Sequence, residues 1–251
     1  MSMKAYMDMK FDSLKQSMNG QKQDKLPGID LPLGLRIGSR VSIEEAPFLL
    51  AGEEGPEYPG QESLIEGGSC IDIYGLTVFR LYLKDRGSAT ESMLMLVMDG
   101  EGDIAEYYLF RELAEVPLYF SCLDEVPLDG DEANAISFWI GEDKGIIGLP
   151  VFFTPEGHEY ARLWESDVAG RVSPVSFSET IHFDAFNPEH VRVQHLGCML
   201  YTRSIQGLSD ETDEFLLVSV ERGDNSFSTR IWTGLILSEA DLQFPDSIKQ
   251  V

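Results

Sequence analysis

Basic residues are scarce in this chain, and histidine scarcer still. The 251 residues hold 19 Lys and Arg against 43 Asp and Glu, a formal charge of −24, with four histidines. Such a surface repels phosphate backbones, so nucleic acid is excluded as a partner for the body of the protein. Cysteine is also short: Cys70, Cys122 and Cys198 are odd in number and far apart. Reduced thiols in a cytoplasm are therefore expected in place of a disulfide framework. No apolar run approaches the roughly 20 residues that cross a bilayer. The first residues, where Lys and Asp break up the apolar positions, do not read as a secretory signal. The expected location is cytoplasmic.

Signatures of chemistry are missing too. There is no G-x-S-x-G elbow, no H-E-x-x-H, no C-x-x-C and no Gly-Lys-Ser/Thr. Gly34 and Gly38 in "LPLGLRIGSRVSIEE" have a G-x-x-x-G spacing that fits neither a P-loop nor a dinucleotide fingerprint. No cofactor is expected, and the balance leans away from an enzyme. What remains is a loose set, His182, Asp184, His190, His195 and Cys198. Within it His182 and Asp184 would project from one strand face and are the candidate metal ligands. A solvated or core histidine is the competing account. The acid-rich "DGEGD" and "LDGDE" lack the ligand alternation of an EF-hand and read as turns.

What the chain does hold is periodicity. Met3, Met7, Phe11, Leu14 and Met18 recur at steps of four, four, three and four, which predicts an amphipathic helix. Residues 1–25 carry five lysines and three aspartates, +2, against −26 for the rest. This helix and the polar linker after it form the first unit; residues 26–251 form a single mainly-β domain. Docking on a partner through Met3, Met7, Phe11 and Leu14 stands against a helix folded back on its own domain or a frayed terminus. Contact with a membrane surface is open to residues 1–25 only.

From Leu35 the period becomes two, with Leu35, Ile37, Val41 and Ile43 on one face, which predicts a strand. Gly34 and Gly38 would thin its other face and leave room for a neighbour. Residues 44–66 hold seven glutamates and no base, a solvated acidic loop around an apolar anchor at Phe48 to Leu50. Short apolar runs then follow, rich in β-branched and aromatic residues and separated by turn residues. The fold class is mainly β (α+β): antiparallel sheets with a few short helices. "YYLFRELAEVPL" reads either as helix or as strand.

Sliding the chain by 122 residues lays "TESMLMLVMDGEGD" on "TDEFLLVSVERGDN", with Gly75 on Gly197 and Phe110 on Trp232. This suggests two related β-meander halves, around 70–120 and 192–240, packed as one unit. Only four identities fall in the 39 positions from 75 to 113, so chance is the rival account. In "YARLW", Tyr160, Arg162 and Trp164 would share a strand side, with the arginine stacked between the aromatics. They are interaction candidates as an exposed patch; a stack that closes the core is the alternative.

Together "LPLGLRIGSRVSI", "EYYLFREL" and "GHEYARLW" resemble the YjfK-type family of bacterial proteins of unknown function. The likeness runs from residue 31 to about 235 and leaves out the first 25 residues. It implies a bacterial cytoplasmic protein whose relatives tend to be encoded beside a phage-shock-protein-A-like coiled coil and small membrane proteins. No catalytic residue comes with it. Residues and resemblance lead to a non-enzymatic protein-interaction module with an unidentified protein partner, possible in an envelope-stress setting. The alternative is an enzyme or ligand-binding protein with an unrecognised, metal-dependent site.

Overall fold

The structure, a computed structural model, describes residues 29–85, 90–116, 139, 145–154, 157–184, 187, 189–207, 211–222 and 227–245. Two runs of hairpins dominate. The first comprises β2 (Glu62–Ile73), β3 (Leu76–Asp85), β4 (Ser92–Met98) and β5 (Ile104–Val116). The second comprises β8 (Val175–His182), β9 (Val191–Gln206), β10 (Glu211–Arg222) and β11 (Phe227–Leu237). Within each run, successive strands pair antiparallel. The last strands of the runs pair with each other, β5 with β11, and the first strands meet where Gly68 of β2 pairs His182 of β8. The result is a closed antiparallel barrel of eight strands. Short strands extend it: β1 (Arg40–Ile43) and β12 (Leu242–Gln243) beside β2, and β6 (Val151–Phe153) and β7 (Glu159–Arg162) beside β9. Helix is confined to α1 (Ala46–Ala51) and two 3-10 turns among the elements assigned.

The 122-residue shift has a geometric counterpart. It carries β4 onto residues 214–220 of β10, and β3 and β5 onto stretches that overlap β9 and β11. The connectivity of the two stretches is thus the same. Pairing agrees with it: Phe110 faces Gly234, and the shifted pair, Trp232 and Glu112, are partners as well. Arg111 faces Thr233, its own counterpart, so a pseudo-twofold axis crosses the β5–β11 contact there. Leu113 is the extra residue of a β-bulge in that contact, which is why the register breaks between Ile231 and Trp232.

An eight-stranded barrel is just wide enough for its inward side chains to fill it. The register places Ile71, Val78, Met93, Met95, Phe110, Leu217 and Trp232 inward, and all are buried. Gly234 has a necessary absence of side chain: a Cβ there would collide with the Leu109 carbonyl oxygen and the Phe110 ring. Outside, each half carries its own cover. Leu31, Leu35, β1, α1 and β12 lie over Leu81, Leu94, Leu96 and Leu109. Ile147, Phe152, Tyr160 and Trp164 belong to the cluster that buries Leu216, Val218, Met199 and Tyr201. The central strands are consequently buried on both faces, and read as continuous apolar runs where a half-exposed strand would alternate.

One open alternative is decided and two expectations are corrected. "YYLFRELAEVPL" lies in and just beyond β5, and the part described, through Val116, is strand. The strand expected from Leu35 begins only at Arg40, after a 3-10 turn at Pro32–Gly34. Gly34 and Gly38 serve that turn and the next through positive φ, +67° and +91°. At Gly38 no atom lies within 4 Å of a Cβ position, so conformation and not space is what requires glycine. Gly38→Ala is expected to cost about 1 kcal/mol from the backbone alone. Urea unfolding checks this as a lowered midpoint with an unchanged slope.

Candidate functional site

The polar groups inside the barrel converge on Glu179 of β8, which is fully buried. Its Oε1 accepts hydrogen bonds from the Ser69 hydroxyl and from Tyr82 at 2.9 Å. Its Oε2 accepts from Gln194 at 2.8 Å and from the Arg80 guanidinium at 3.3 Å. Burial works most strongly against the charge of Arg80, but the Glu179 carboxylate, together with Tyr82, Cys198 and Glu221, outweighs it and raises the guanidinium pKa. Arg80 also lies over the Phe177 ring, 5.5 Å from its centroid. Nearby, burial pushes the Cys198 thiol up to about 12, so it behaves as a small apolar core residue. The carboxylate has four donors of its own chain, an arrangement that holds strands β2, β3, β8 and β9 together.

Next to it, Arg230 reaches Glu91 at 2.5 Å, Glu221 at 3.5 Å and Glu112 at 3.7 Å. Burial holds the Glu221 carboxyl above its ordinary value, against the pull of Arg230 and Arg80. A carboxyl raised in the folded state favours folding fully below its unfolded pKa and loses that contribution as pH rises through the folded value. Glu221→Gln should therefore stabilise the protein at pH 8, and its advantage should shrink as pH falls towards the ordinary glutamate range. Arg230 would keep Glu91 and Glu112 as partners. Melting temperatures of both proteins across that range check the sign.

His182 ends β8, and burial lowers its pKa. Asp184, two residues on, accepts a hydrogen bond from the Asn187 N–H at 3.3 Å, closing a turn. Asp184 and His190 line an open cleft of about 630 Å³ beside the barrel seam, with Ile37, Leu64, Glu66 and Phe183. Among the described residues no three His, Cys, Asp or Glu side chains are grouped to hold a metal ion. His195 lies apart, bonded to Ser178 at 2.8 Å.

Tyr160, Arg162 and Trp164 come together, but in the interior: they are 1%, 4% and 2% exposed. Two Nη atoms of Arg162 donate to the carbonyls of Gly148, Gly170, Glu165 and Val168. It is Arg203 that lies over the Tyr160 ring, at 5.0 Å, and both bond Glu214. The exposed-patch reading is thus corrected in favour of a core: a guanidinium fork is the one side chain with enough donors to tie a loop by its carbonyls. Met3, Met7, Phe11 and Leu14 lie outside the described residues.

The apolar anchor expected at Phe48 to Leu50 is corrected: Phe48 is buried, but Leu49 and Leu50 face outward. Helix α1 starts at Ala46 with Pro47 in its first turn, where a missing N–H costs nothing, and ends before Gly52, whose φ is +78°. Phe48 and Ala51 seat it in the outer core. Leu49 and Leu50 point away, 56% and 53% exposed, and Glu44, Glu45, Glu53, Glu54 and Glu57 are exposed around them. The lobe is tied down: Tyr58 packs on Phe48 and donates to the Ile43 carbonyl at 2.7 Å. Arg111 donates to the Tyr58 carbonyl at 3.0 Å, and Arg203 to that of Glu54 at 2.9 Å. The acid-rich composition marked a loop; that two leucines stand outward from it depended on which way Phe48 turned.

A closed antiparallel barrel with a filled, internally bonded interior and an acidic lobe displaying two leucines defines a mainly-β protein whose outward chemistry lies in its loops. The chain belongs to a family described as protein of unknown function (DUF2491), whose model matches residues 11–243. No curated protein and no solved structure matches it. The match agrees with the sequence reading in being to an uncharacterised family. It differs in extent, since it begins at residue 11, inside the segment that the resemblance left out.

Proposed function

We propose that this chain is a non-enzymatic protein-interaction module, a single domain over residues 26–251 that engages a basic, amphipathic partner through the outward face of α1. The observation that carries this reading is the fixed acidic lobe: two adjacent leucines more than half exposed, flanked in sequence by five exposed glutamates between residues 44 and 57, and pinned by arginines of two different strands. Exposed apolar groups within a charged rim are the usual composition of a contact surface. The saturated carboxylate inside the barrel supports it, because Glu179 has no lone pair directed at a ligand that its own chain does not already meet. The YjfK-type resemblance suggests a bacterial cytoplasmic setting and an envelope-stress partner. Affinity capture from the source cell with the full chain, and with Leu49→Ser/Leu50→Ser, tests the reading. A stoichiometric partner retained by the former and lost by the latter is expected; equal capture by both would sink it.

The open cleft favours a second reading, a ligand or metal site beside Asp184 and His190. Metal analysis of the purified protein, with melting temperatures in the presence of divalent ions, tests it: no bound metal and no rise removes the metal version.

A further inference from the structure

We infer that residues 1–25 dock on the outward face of α1 in the same chain, so that the protein carries its own competitor for the surface its partner uses. This rests on the reading of α1 given above and adds its regulation. The first argument is charge. Of the longer stretches outside the described residues, 117–138 carries five acids and no base, whereas 1–28 carries five lysines and three aspartates. Only the latter complements Glu44, Glu45, Glu53, Glu54 and Glu57, which stand exposed around Leu49 and Leu50. The second is pattern. Phe11 and Leu14 share the stripe with Met3, Met7 and Met18, and Lys10 and Lys15 flank them. An apolar stripe with lysines at its margins fits a leucine pair with glutamates at its margins.

The third argument is where the described chain begins. Ile29 packs against the same outer cluster that seats Phe48 and Ala51 of α1. Residues 19–28, ten in number, span at most about 33–36 Å when extended, a reach long enough for residues 1–18 to meet the lobe. Two leucines are a small surface for a free partner, but a tether supplies an effective concentration of about millimolar, at which a weak contact is filled. A separate partner must then outcompete the segment, and the contact is one that salt weakens.

The test uses the full chain, prepared unlabelled and uniformly ¹⁵N-labelled, mixed, and treated with a zero-length carbodiimide that joins amines to carboxylates. Peptide mass spectrometry is expected to find Lys10 and Lys15 joined to Glu45, Glu53 or Glu54, within chains of one label. Leu49→Ser/Leu50→Ser, which leaves every charge in place, should lower that yield by roughly tenfold with the melting temperature little changed. Phe11→Ser/Leu14→Ser should do the same from the other side. Cross-links spread over acids elsewhere, yields unmoved by both variants, or links between labelled and unlabelled chains would each overturn the inference, the last by assigning the face to a second copy. If the links fail to form while partner capture still depends on Leu49 and Leu50, the tether alone falls and the partner surface stands. If the links form as expected and capture ignores the leucines, the partner reading falls instead.

Discussion

Replacing Glu179 by alanine is expected to destabilise the protein by about 3–5 kcal/mol, the usual loss when one member of a buried ion pair is removed. Arg80 is 2% exposed, and among the described residues no other carboxylate is bonded to it directly. Without Glu179 its charge would stay in the barrel, and the Ser69, Tyr82 and Gln194 donors would lose their acceptor at once. Water cannot easily replace it, because the four donors come from strands that pack around a carboxylate with no exposed surface. Urea unfolding followed by tryptophan fluorescence measures the loss. A double replacement, Arg80→Met with Glu179→Leu, is expected to recover most of it, since the desolvation of both charges disappears with the pair. If Glu179→Ala melts like the parent, the network contributes nothing and the barrel interior must be open to solvent.

The second large effect is at Arg162. Arg162→Ala would take the guanidinium donors from the carbonyls of Gly148, Gly170, Glu165 and Val168, of which Gly148 and Glu165 keep the backbone N–H groups of Val172 and Val168, in a region where Trp164 and Val172 are buried. A carbonyl left unpaired costs about 1–3 kcal/mol, less where water enters, and Val168 and Gly170 lie at the surface, so a total of about 2–3 kcal/mol, including lost packing of the buried side chain, is expected. Arg162→Lys should recover only a minor part, because an ammonium group cannot bridge carbonyls on both sides as the planar fork does. Thermal unfolding of both variants decides it. A recognition arginine would behave in the opposite way, with partner binding lost and stability unchanged.

Much of the fold was legible before any coordinates. Alternation and turn spacing marked the strands, and the 122-residue match anticipated the shared connectivity of the two hairpin runs. The reason is local: a strand buried on one face must alternate, and a hairpin needs turn residues at its tip. "SMLMLVM" was readable as a strand, and its lack of alternation is explained by burial on both faces. Less legible was "YYLFRELAEVPL", in which Leu109, Leu113 and Val116 fit a helix face. Tertiary pairing with β4 and β11 overrode that period, and the bulge at Leu113 is what had disturbed the strand alternation.

The site was far less legible than the fold. "YARLW" has the composition of a binding hot spot and also of a core, and nothing local separates the two. His182 and Asp184 are two apart in sequence, but β8 stops at His182 and Asp184 takes part in the turn that follows, accepting from the Asn187 N–H. The outward leucines were hidden because Phe48, Leu49 and Leu50 are alike in hydropathy, and a six-residue helix is too short to show a period.

What the sequence by itself determined is the class of structure and its electrostatic character: short apolar strands cut by turns, a charge of −24, and a front segment of opposite sign. Those follow from residues acting on their near neighbours and on solvent. Only the tertiary structure decided that the sheet closes on itself, that Glu179 lies within reach of donors 15 to 110 residues away, and that Arg162 is inside while Leu49 and Leu50 are outside. Closure depends on β2 meeting β8 across more than a hundred residues, and burial depends on what that closure leaves covered. Neither is encoded in any window of the chain short enough to carry a period.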